Sequence, residues 1–172
     1  PLGRGYRKIE SIIGLYIERK SPSRSNPSLA NSLEKISTHS QTASTLEKLP
    51  RDAACLISGY TSPGNAQSLL NFLAAYGADR PRLHAIDLYD LPQVYTKLGL
   101  ALPPVDFRIA DATDLRSCFD SGSFDLVIQD HLLNCVPPCL HPSLLGELVR
   151  VLSPNGIAMI NFTEGDRLKH LD

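Results

Sequence analysis

Acidic residues follow three successive apolar segments, each near the point where the segment ends. Asp87 comes directly after Ile86, Asp111 comes two residues after Ile109, and Asp130 lies just beyond Ile128. A carboxylate in the first position can accept hydrogen bonds from both hydroxyls of a ribose, and one in the second can meet an exocyclic amine. Each acid alone could simply end a strand at a solvated loop, but three in this order predict a shared ligand site.

The loop after the first apolar segment carries two glycines, Gly59 and Gly64. Glycine lets the backbone approach a ligand closely, and the N-terminus of a following helix offers free N–H groups to a carboxylate. Two glycines are equally compatible with a plain turn. The loop therefore gains meaning only if the fold places it beside the acids.

Short apolar strands alternate with helix-length segments, and these elements must position the candidate residues. We expect strands at 53–57, 83–87, 105–109, 124–128 and 157–161, and helices over 65–76 and 91–99. Asn65 is the expected N-cap of the first helix, and Gly77 follows its end. Pro142 should open a last helix, with a turn over 153–156 after it. The buried stripe of that helix is expected to comprise Leu144, Leu145, Leu148, Val149 and Leu152.

This alternation implies parallel strands joined by right-handed crossovers. We therefore predict an α/β fold with a doubly wound, mostly parallel sheet and helices on both faces. The carboxyl ends of such strands share one edge, where ligands bind at the point of strand-order reversal. The residues just after each strand are thus the candidates for a site.

Residues 1–50 differ in character from residues 51–172. We predict an amphipathic helix over 6–19, a flexible Ser-rich linker over 21–45 with one weak helical turn around 29–36, and a short helix near 42–48. Residues 1–50 carry a net charge of +4 and the remainder −5, as counted from the sequence. Without a dense basic run interleaved with aromatics, we expect a solvated or self-docking arm and no nucleic-acid binding. No apolar run suits a membrane helix or signal peptide, so a cytoplasmic location is expected.

Residues 53–161 resemble the core of class I S-adenosylmethionine (SAM) dependent methyltransferases. The glycine loop resembles the first motif of that family, Ala85–Asp87 its second-strand acid, and Ala110–Ala112 its adenine-contacting motif. The run from Phe124-Asp125-Leu126-Val127 to Arg150-Val151-Leu152-Ser153-Pro154-Asn155-Gly156 matches the "FDLV … E-x-x-R-V-L-x-P-G-G" passage of its small-molecule methyltransferases. The resemblance implies a Rossmann-like sheet, SAM as cofactor and a small-molecule methyl acceptor.

The resemblance also implies roles for individual residues. Gly59, Tyr60 and Gly64 would flank the methionine part of SAM. Asp87 would hold the ribose, with Leu88 near the adenine and with Asp111 and Ala112 at its amino edge. Gln129, Asp130 and His131 would line the passage to the methyl group, and His131 is the candidate general base because its unperturbed pKa lies near neutrality. His131 could equally cap the loop. Asn134 could orient an acceptor.

Two departures from the family pattern leave a second function open. Ile57-Ser58 stands where the family carries an acid, and Tyr60 and Ser62 interrupt the glycine run. We also expect the sheet to lack the last two strands of the family, which would leave the edge of the fifth strand unpaired. Three interpretations follow: the chain is a fragment, its own N-terminal arm covers the edge, or a homo-oligomer or partner chain does; we favour the first and the third. The alternative function is a catalytically inactive scaffold or partner subunit. A nicotinamide-dependent reductase fits worse, because G-x-G-x-x-G does not follow the first strand.

Cys135 and Cys139 flank Val136-Pro137-Pro138 on the expected acceptor side. Two thiols four residues apart could bind a soft metal or metalloid, and His131 and His141 would complete a Cys₂His₂ set. The prolines make helical spacing unreliable there. We therefore expect no metal.

Overall fold

The computed structural model describes Leu33 and residues 40–59, 63–97, 99, 105–130 and 132–161. The predicted helix over 6–19 and most of the predicted linker lie outside these residues. Two predicted site residues, Tyr60 and His131, lie outside them too.

Five parallel strands form a single sheet within the described residues. They are β1 (Ala54–Ser58), β2 (Arg82–Asp87), β3 (Asp106–Ile109), β4 (Phe124–Asp130) and β5 (Leu152–Asn161). Their order is β3-β2-β1-β4-β5, so the direction of winding reverses between β1 and β4. All four pairings are parallel. The predicted doubly wound α/β class is confirmed.

Four helices accompany the sheet in the described residues: α1 (Ser40–Leu46), α2 (Pro63–Ala75), α3 (Leu91–Lys97) and α4 (His141–Val151). Two short 3₁₀ helices, Leu132–Asn134 and Pro138–Leu140, connect β4 to α4. The predicted N-cap at Asn65 is wrong, because α2 already begins at Pro63. Gly77 follows α2 with φ +86°, the left-handed conformation typical of glycine after a helix.

Each face of the sheet carries its own apolar cluster. One cluster joins β1, β2 and β4 to α2 and α3 through buried residues that include Ile57, Leu69 and Tyr95. The other joins the opposite face to α4 and the segment after β3. Leu33, which is helical and only 4% exposed, packs into the first cluster. Helical layers therefore cover both sides of the central strands, which explains why β1 is apolar along its whole length.

The buried stripe of α4 differs from the predicted one. It consists of Leu144, Glu147, Leu148 and Val151. Leu145 and Val149 were predicted to be buried, yet they are exposed. Glu147 occupies one of the inner positions, and its carboxylate has hydrogen-bond partners there, described below. The helix also begins at His141, with Pro142 in its first turn.

β5 begins five residues earlier than predicted. Phe124 pairs with Leu152 and Leu126 pairs with Ile157, so Ser153–Gly156 form a bulge opposite Asp125. The predicted turn over 153–156 is thus an irregularity inside the strand. Asp125 links the bulge to β1, since its Oδ1 accepts from Ser153 Oγ at 3.4 Å and its Oδ2 from Ala54 N at 2.9 Å.

Among the described helices, none has the length and apolar character that a membrane span requires.

Candidate functional site

The strand register brings the predicted site residues to one edge of the sheet. Ser58 pairs with Ile86 on one side and with Gln129 on the other. Gly59 and Asp87 each follow one of these paired residues. The backbone N–H of Ala110 donates to Asp87 O at 2.9 Å, which places the start of the segment after β3 beside the end of β2. The ends of β1, β2, β3 and β4 therefore surround the reversal point.

Asp87 presents a largely buried carboxyl group at this edge. Its Oδ1 accepts a hydrogen bond from Tyr89 N at 3.1 Å. Burial raises the pKa of Asp87 to about 6, and the bonds from the backbone N–H groups of Tyr89 and Leu88 only partly oppose this. No cationic group among the described residues compensates the charge. A buried acid that lacks a cation is costly for stability and is typical of a functional site.

Gly59 ends β1 with φ +78°, a conformation that side chains other than glycine rarely adopt. It turns the chain away from the sheet toward α2. Gly64 was predicted in this loop, but it lies in the first turn of α2. Leu88 stands immediately beyond Asp87 and is 60% exposed, so an apolar side chain borders the carboxyl group.

Asp111 and Ala112 open the segment that follows β3. Asp111 Oδ1 accepts from Thr113 N at 2.9 Å and from Thr113 Oγ1 at 2.8 Å, which holds a tight turn. Asp111 is exposed and Ala112 is only 8% exposed. A small buried residue beside an exposed acid suits the edge of a flat ligand group.

Gln129 is fully buried, and neither its Nε2 nor its Oε1 has a hydrogen-bond partner. The prediction placed it directly after the fourth strand, but β4 extends to Asp130. Its neighbour across the sheet, Ser58, is also fully buried and donates from Oγ to Ile128 O at 3.4 Å. An unsatisfied buried amide costs free energy, so Gln129 is a candidate to contact a ligand.

The segment between β4 and α4 borders the same edge. His141 Nε2 lies 3.1 Å from Leu133 O and 3.0 Å from Val136 O, so it donates to these carbonyls and joins the segment to α4. Cys135 and Cys139 are exposed free thiols. In the described part of the chain, no three His, Cys, Asp or Glu side chains come together as a metal site.

Sequence reasoning missed Glu147 as a residue connected to the site. Its Oε2 accepts from Leu115 N at 2.9 Å, and Arg150 donates to the same carboxylate at 2.8 to 3.1 Å. This bonding holds the pKa of Glu147 below its usual value, chiefly through Arg150. An acid at an apolar position of the helical stripe, three residues before an arginine, is the signal that could have revealed it.

The direction of winding of this parallel sheet reverses between β1 and β4, and a half-buried acid lies at the end of β2. These features are typical of Rossmann-like domains, which bind nucleoside-containing ligands. Residues 63–160, more than half of the chain, match the profile of the methyltransferase domain family. The chain belongs to this family, which confirms the predicted class of SAM-dependent methyltransferases.

Solved structures share the fold at low sequence identity. A putative S-adenosyl-L-methionine-dependent methyltransferase from Methanococcus maripaludis is 14% identical with a TM-score of 0.58, and the match covers 94% of this chain and 66% of that chain. The 1,6-didemethyltoxoflavin-N1-methyltransferase of Burkholderia thailandensis, solved with 1,6-didemethyltoxoflavin and S-adenosylhomocysteine, is 17% identical with a TM-score of 0.54 and coverages of 96% and 67%.

A putative sarcosine dimethylglycine methyltransferase from Galdieria sulphuraria is 18% identical with a TM-score of 0.54. That match covers 76% of this chain and 46% of that chain. The chain therefore spans only part of the length of the proteins it resembles. No curated protein matches its sequence.

Proposed function

We propose that this domain binds SAM at the carboxyl edge of its sheet and transfers the methyl group to a small-molecule acceptor. The observation that carries the proposal is the half-buried carboxyl group of Asp87, which no cation of the described residues balances. Two ribose hydroxyls would supply the hydrogen-bond donors that the ionised carboxylate lacks. The position of Asp87 at the end of β2, next to the reversal point, suits this role.

In this proposal the other residues contact different parts of the cofactor. Leu88 packs near the adenine, while Asp111 and Ala112 meet its amino edge. Gly59, Tyr60 and Gly64 flank the methionine part. The positive φ of Gly59 supports this assignment, because it leaves the backbone at the end of β1 free of a Cβ atom.

On the acceptor side we assign Gln129 to the passage that leads to the methyl group and His131 to proton removal from the acceptor. Bound SAM supplies an electrophilic methyl group on a sulfonium, so the protein need only align the acceptor and accept its proton. The unpartnered amide of Gln129 supports a role in alignment, because it offers one acceptor and two donors in a dry setting.

Calorimetric titration with SAM tests the proposal. We expect saturable binding that Asp87→Ala weakens by about 1–3 kcal/mol, the usual cost of losing hydrogen bonds to a charged group. Asp52→Ala, at an exposed position before β1, is the matched control and should bind as the wild type does. Absence of binding at millimolar SAM would exclude the enzyme and leave the scaffold function.

A second function, as a scaffold or partner subunit, is favoured by the outer edge of β5. Among the described residues β5 pairs only with β4, and Ile160 on this strand is 40% exposed. We propose that a strand of a second copy or of a partner chain covers this edge. Light scattering over a range of concentrations, with hydrogen exchange of the β5 amides, tests it. A constant monomer mass with rapidly exchanging β5 amides would contradict a homo-oligomer.

A further inference from the structure

The segment from Ala110 to Ser123, here called the β3–β4 segment, carries Asp111 and Ala112. At its start, Ala110 N donates to Asp87 O at 2.9 Å, which attaches it to the end of β2. Asp111 bonds with Thr113, and Asp114 N donates to Asp111 O at 3.0 Å, so these contacts shape the turn itself. The part of the segment after this turn packs into the apolar cluster on the α4 side of the sheet.

Helix α4 adds polar attachments through Glu147, which pairs with Arg150 of the same helix and, at 3.6 Å, with Arg116 of the segment. The N–H of Leu115, three residues after Ala112, donates to Glu147 Oε2 at 2.9 Å. Arg150 donates hydrogen bonds to the same carboxylate from Nε and Nη2, and its Nη1 donates to Phe119 O at 3.1 Å. Gly122 N donates to Arg150 O at 2.9 Å. The side chains of Glu147 and Arg150 therefore contact the β3–β4 segment at Leu115, Arg116, Phe119 and Ser121, and the backbone carbonyl of Arg150 contacts it at Gly122.

The cost of this arrangement indicates that packing alone does not explain it. Glu147 is only 5% exposed, and a carboxylate loses most of its hydration at such a position. An apolar residue there would pack against Leu115 and Leu148 without that cost, but it could not accept the N–H of Leu115. A buried pair that bonds to a specific backbone group fixes geometry in a way that an apolar contact does not.

We propose that Glu147 is a positioning residue that sets Asp111 and Ala112 against the amino edge of the adenine. This inference rests on the proposed function, because it requires SAM or S-adenosylhomocysteine at the sheet edge. Glu147 itself does not touch the cofactor. It acts through Leu115 N, and Arg150 keeps it ionised and oriented.

The test compares two ligands that differ only at the adenine amino group. S-adenosylhomocysteine carries the amine, whereas S-inosylhomocysteine carries an oxo group in its place. The wild type should prefer the first by about tenfold or more, the value of one hydrogen bond to a charged acceptor. In Glu147→Gln this preference should fall, because the neutral amide loses the ion pair with Arg150 and accepts the N–H of Leu115 more weakly than a carboxylate does, so Asp111 is held less firmly.

Two further variants make the result specific. Asp79→Asn breaks the exposed pair of Asp79 with Arg51, remote from the sheet edge, and should keep the wild-type preference. Arg150→Gln leaves the Leu115 bond in place while loosening the carboxylate, so it should reduce the preference partially. It also serves if Glu147→Gln does not fold.

The outcomes distinguish a failure of the positioning role of Glu147 from a failure of the proposed function. Equal weakening of both ligands in Glu147→Gln and Arg150→Gln, with the preference intact, would mean that the pair is merely structural and would overturn the inference. An unchanged affinity for both ligands would overturn it as well. Failure of the wild type to bind either ligand would instead overturn the proposed function, and this inference with it.

Discussion

At the scale of single residues, the carboxyl group of Asp87 is where stability and ligand binding oppose one another. Burial raises its pKa to about 6, so the folded state retains a proton that the unfolded chain loses near pH 4. The folded state binds more protons between these values, and stability therefore falls as pH rises through this window. At neutral pH the ionised group destabilises the fold.

Asp87→Asn should therefore stabilise the domain at pH 7 while weakening SAM binding. A pKa of about 6 in the folded state, against about 4 in the unfolded chain, corresponds to about 3 kcal/mol, and partial solvent exposure reduces the expected gain to about 1–2 kcal/mol. Asparagine can still accept from Tyr89 N through its carbonyl oxygen. Urea denaturation with and without ligand measures both effects. Asp52→Asn should change neither by more than about 0.5 kcal/mol, and loss of stability in Asp87→Asn would contradict the pKa assignment.

The affinity for S-adenosylhomocysteine should depend on pH through the same group. Above pH 7 the carboxylate is ionised and can accept both ribose hydroxyls, whereas below about pH 6 it becomes protonated before binding. The dissociation constant should thus be flat above pH 7 and rise by about tenfold for each pH unit well below 6. Calorimetry from pH 5 to pH 8 measures it. If Asp87→Asn shows the same pH profile as the wild type, another group is responsible.

Single residues also show how far sequence reasoning reaches into a site. The positions of Asp87 and Asp111 near strand ends could be predicted because a strand end followed by an acid is a local pattern; their roles toward a ligand stay predictions. Gln129 was expected directly after the fourth strand, since nothing local shows that β4 continues over two polar residues. Glu147 could not be assigned a role from periodicity alone, because its partner, the N–H of Leu115, is 32 residues distant along the chain. Backbone groups leave no trace in the sequence.

At the scale of secondary-structure elements, the strands were predictable because this sheet is covered on both faces. β1 is buried at all five positions, and its apolar run identifies it without any periodicity. The face of α4 was not predictable in the same way, since Leu145 and Val149 fit a helical stripe as well as the residues that are buried. The buried face includes Glu147, whose carboxylate accepts the N–H of Leu115 from outside the helix. The bulge in β5 was not predicted, because the composition of residues 153–156 is typical of a turn between elements.

The bulge depends on glycine at position 156, and this yields a matched pair of predictions. A Cβ atom at Gly156 would lie 2.8 Å from Leu152 Cδ2, 3.0 Å from Phe124 O and 3.1 Å from Ser153 O. Two of these atoms belong to the backbone and cannot move aside cheaply. Gly156→Ala should therefore destabilise the domain by about 1–3 kcal/mol in urea denaturation.

Gly146→Ala is the control for this substitution. Gly146 lies within α4, and a Cβ atom there would meet nothing within 4 Å. Alanine in a helix interior is favoured over glycine by up to about 1 kcal/mol, so this variant should be more stable than the wild type. Equal stability of the two variants would show that the bulge tolerates a side chain.

At the scale of the whole domain, the sheet order explains why the candidate residues converge. Helices on opposite faces leave the carboxyl edge between β1 and β4 uncovered by crossovers, so a ligand can reach it. The residues at this edge are supported by both apolar clusters. The strand that carries Asp87 packs into each cluster, whereas the segment that carries Ala112 packs into the cluster on the α4 side. Ligand binding at the edge should therefore be coupled to the stability of the entire sheet.

This coupling predicts a selective thermal shift. A ligand that binds only the folded state at about 100 times its dissociation constant adds about 2.7 kcal/mol of stability. For a chain of this size that corresponds to a rise in Tm of roughly 5–10 °C. S-adenosylhomocysteine should produce it, and NADPH at the same concentration should not, because G-x-G-x-x-G does not follow β1. Asp87→Ala should lose most of the shift while Asp52→Ala keeps it. A thermal shift produced by NADPH would contradict this prediction. So would a thermal shift by S-adenosylhomocysteine that remains in Asp87→Ala, because the expected stabilisation depends on contacts between the ribose and Asp87. Either result would mean that the ligand binds at a different part of the sheet edge.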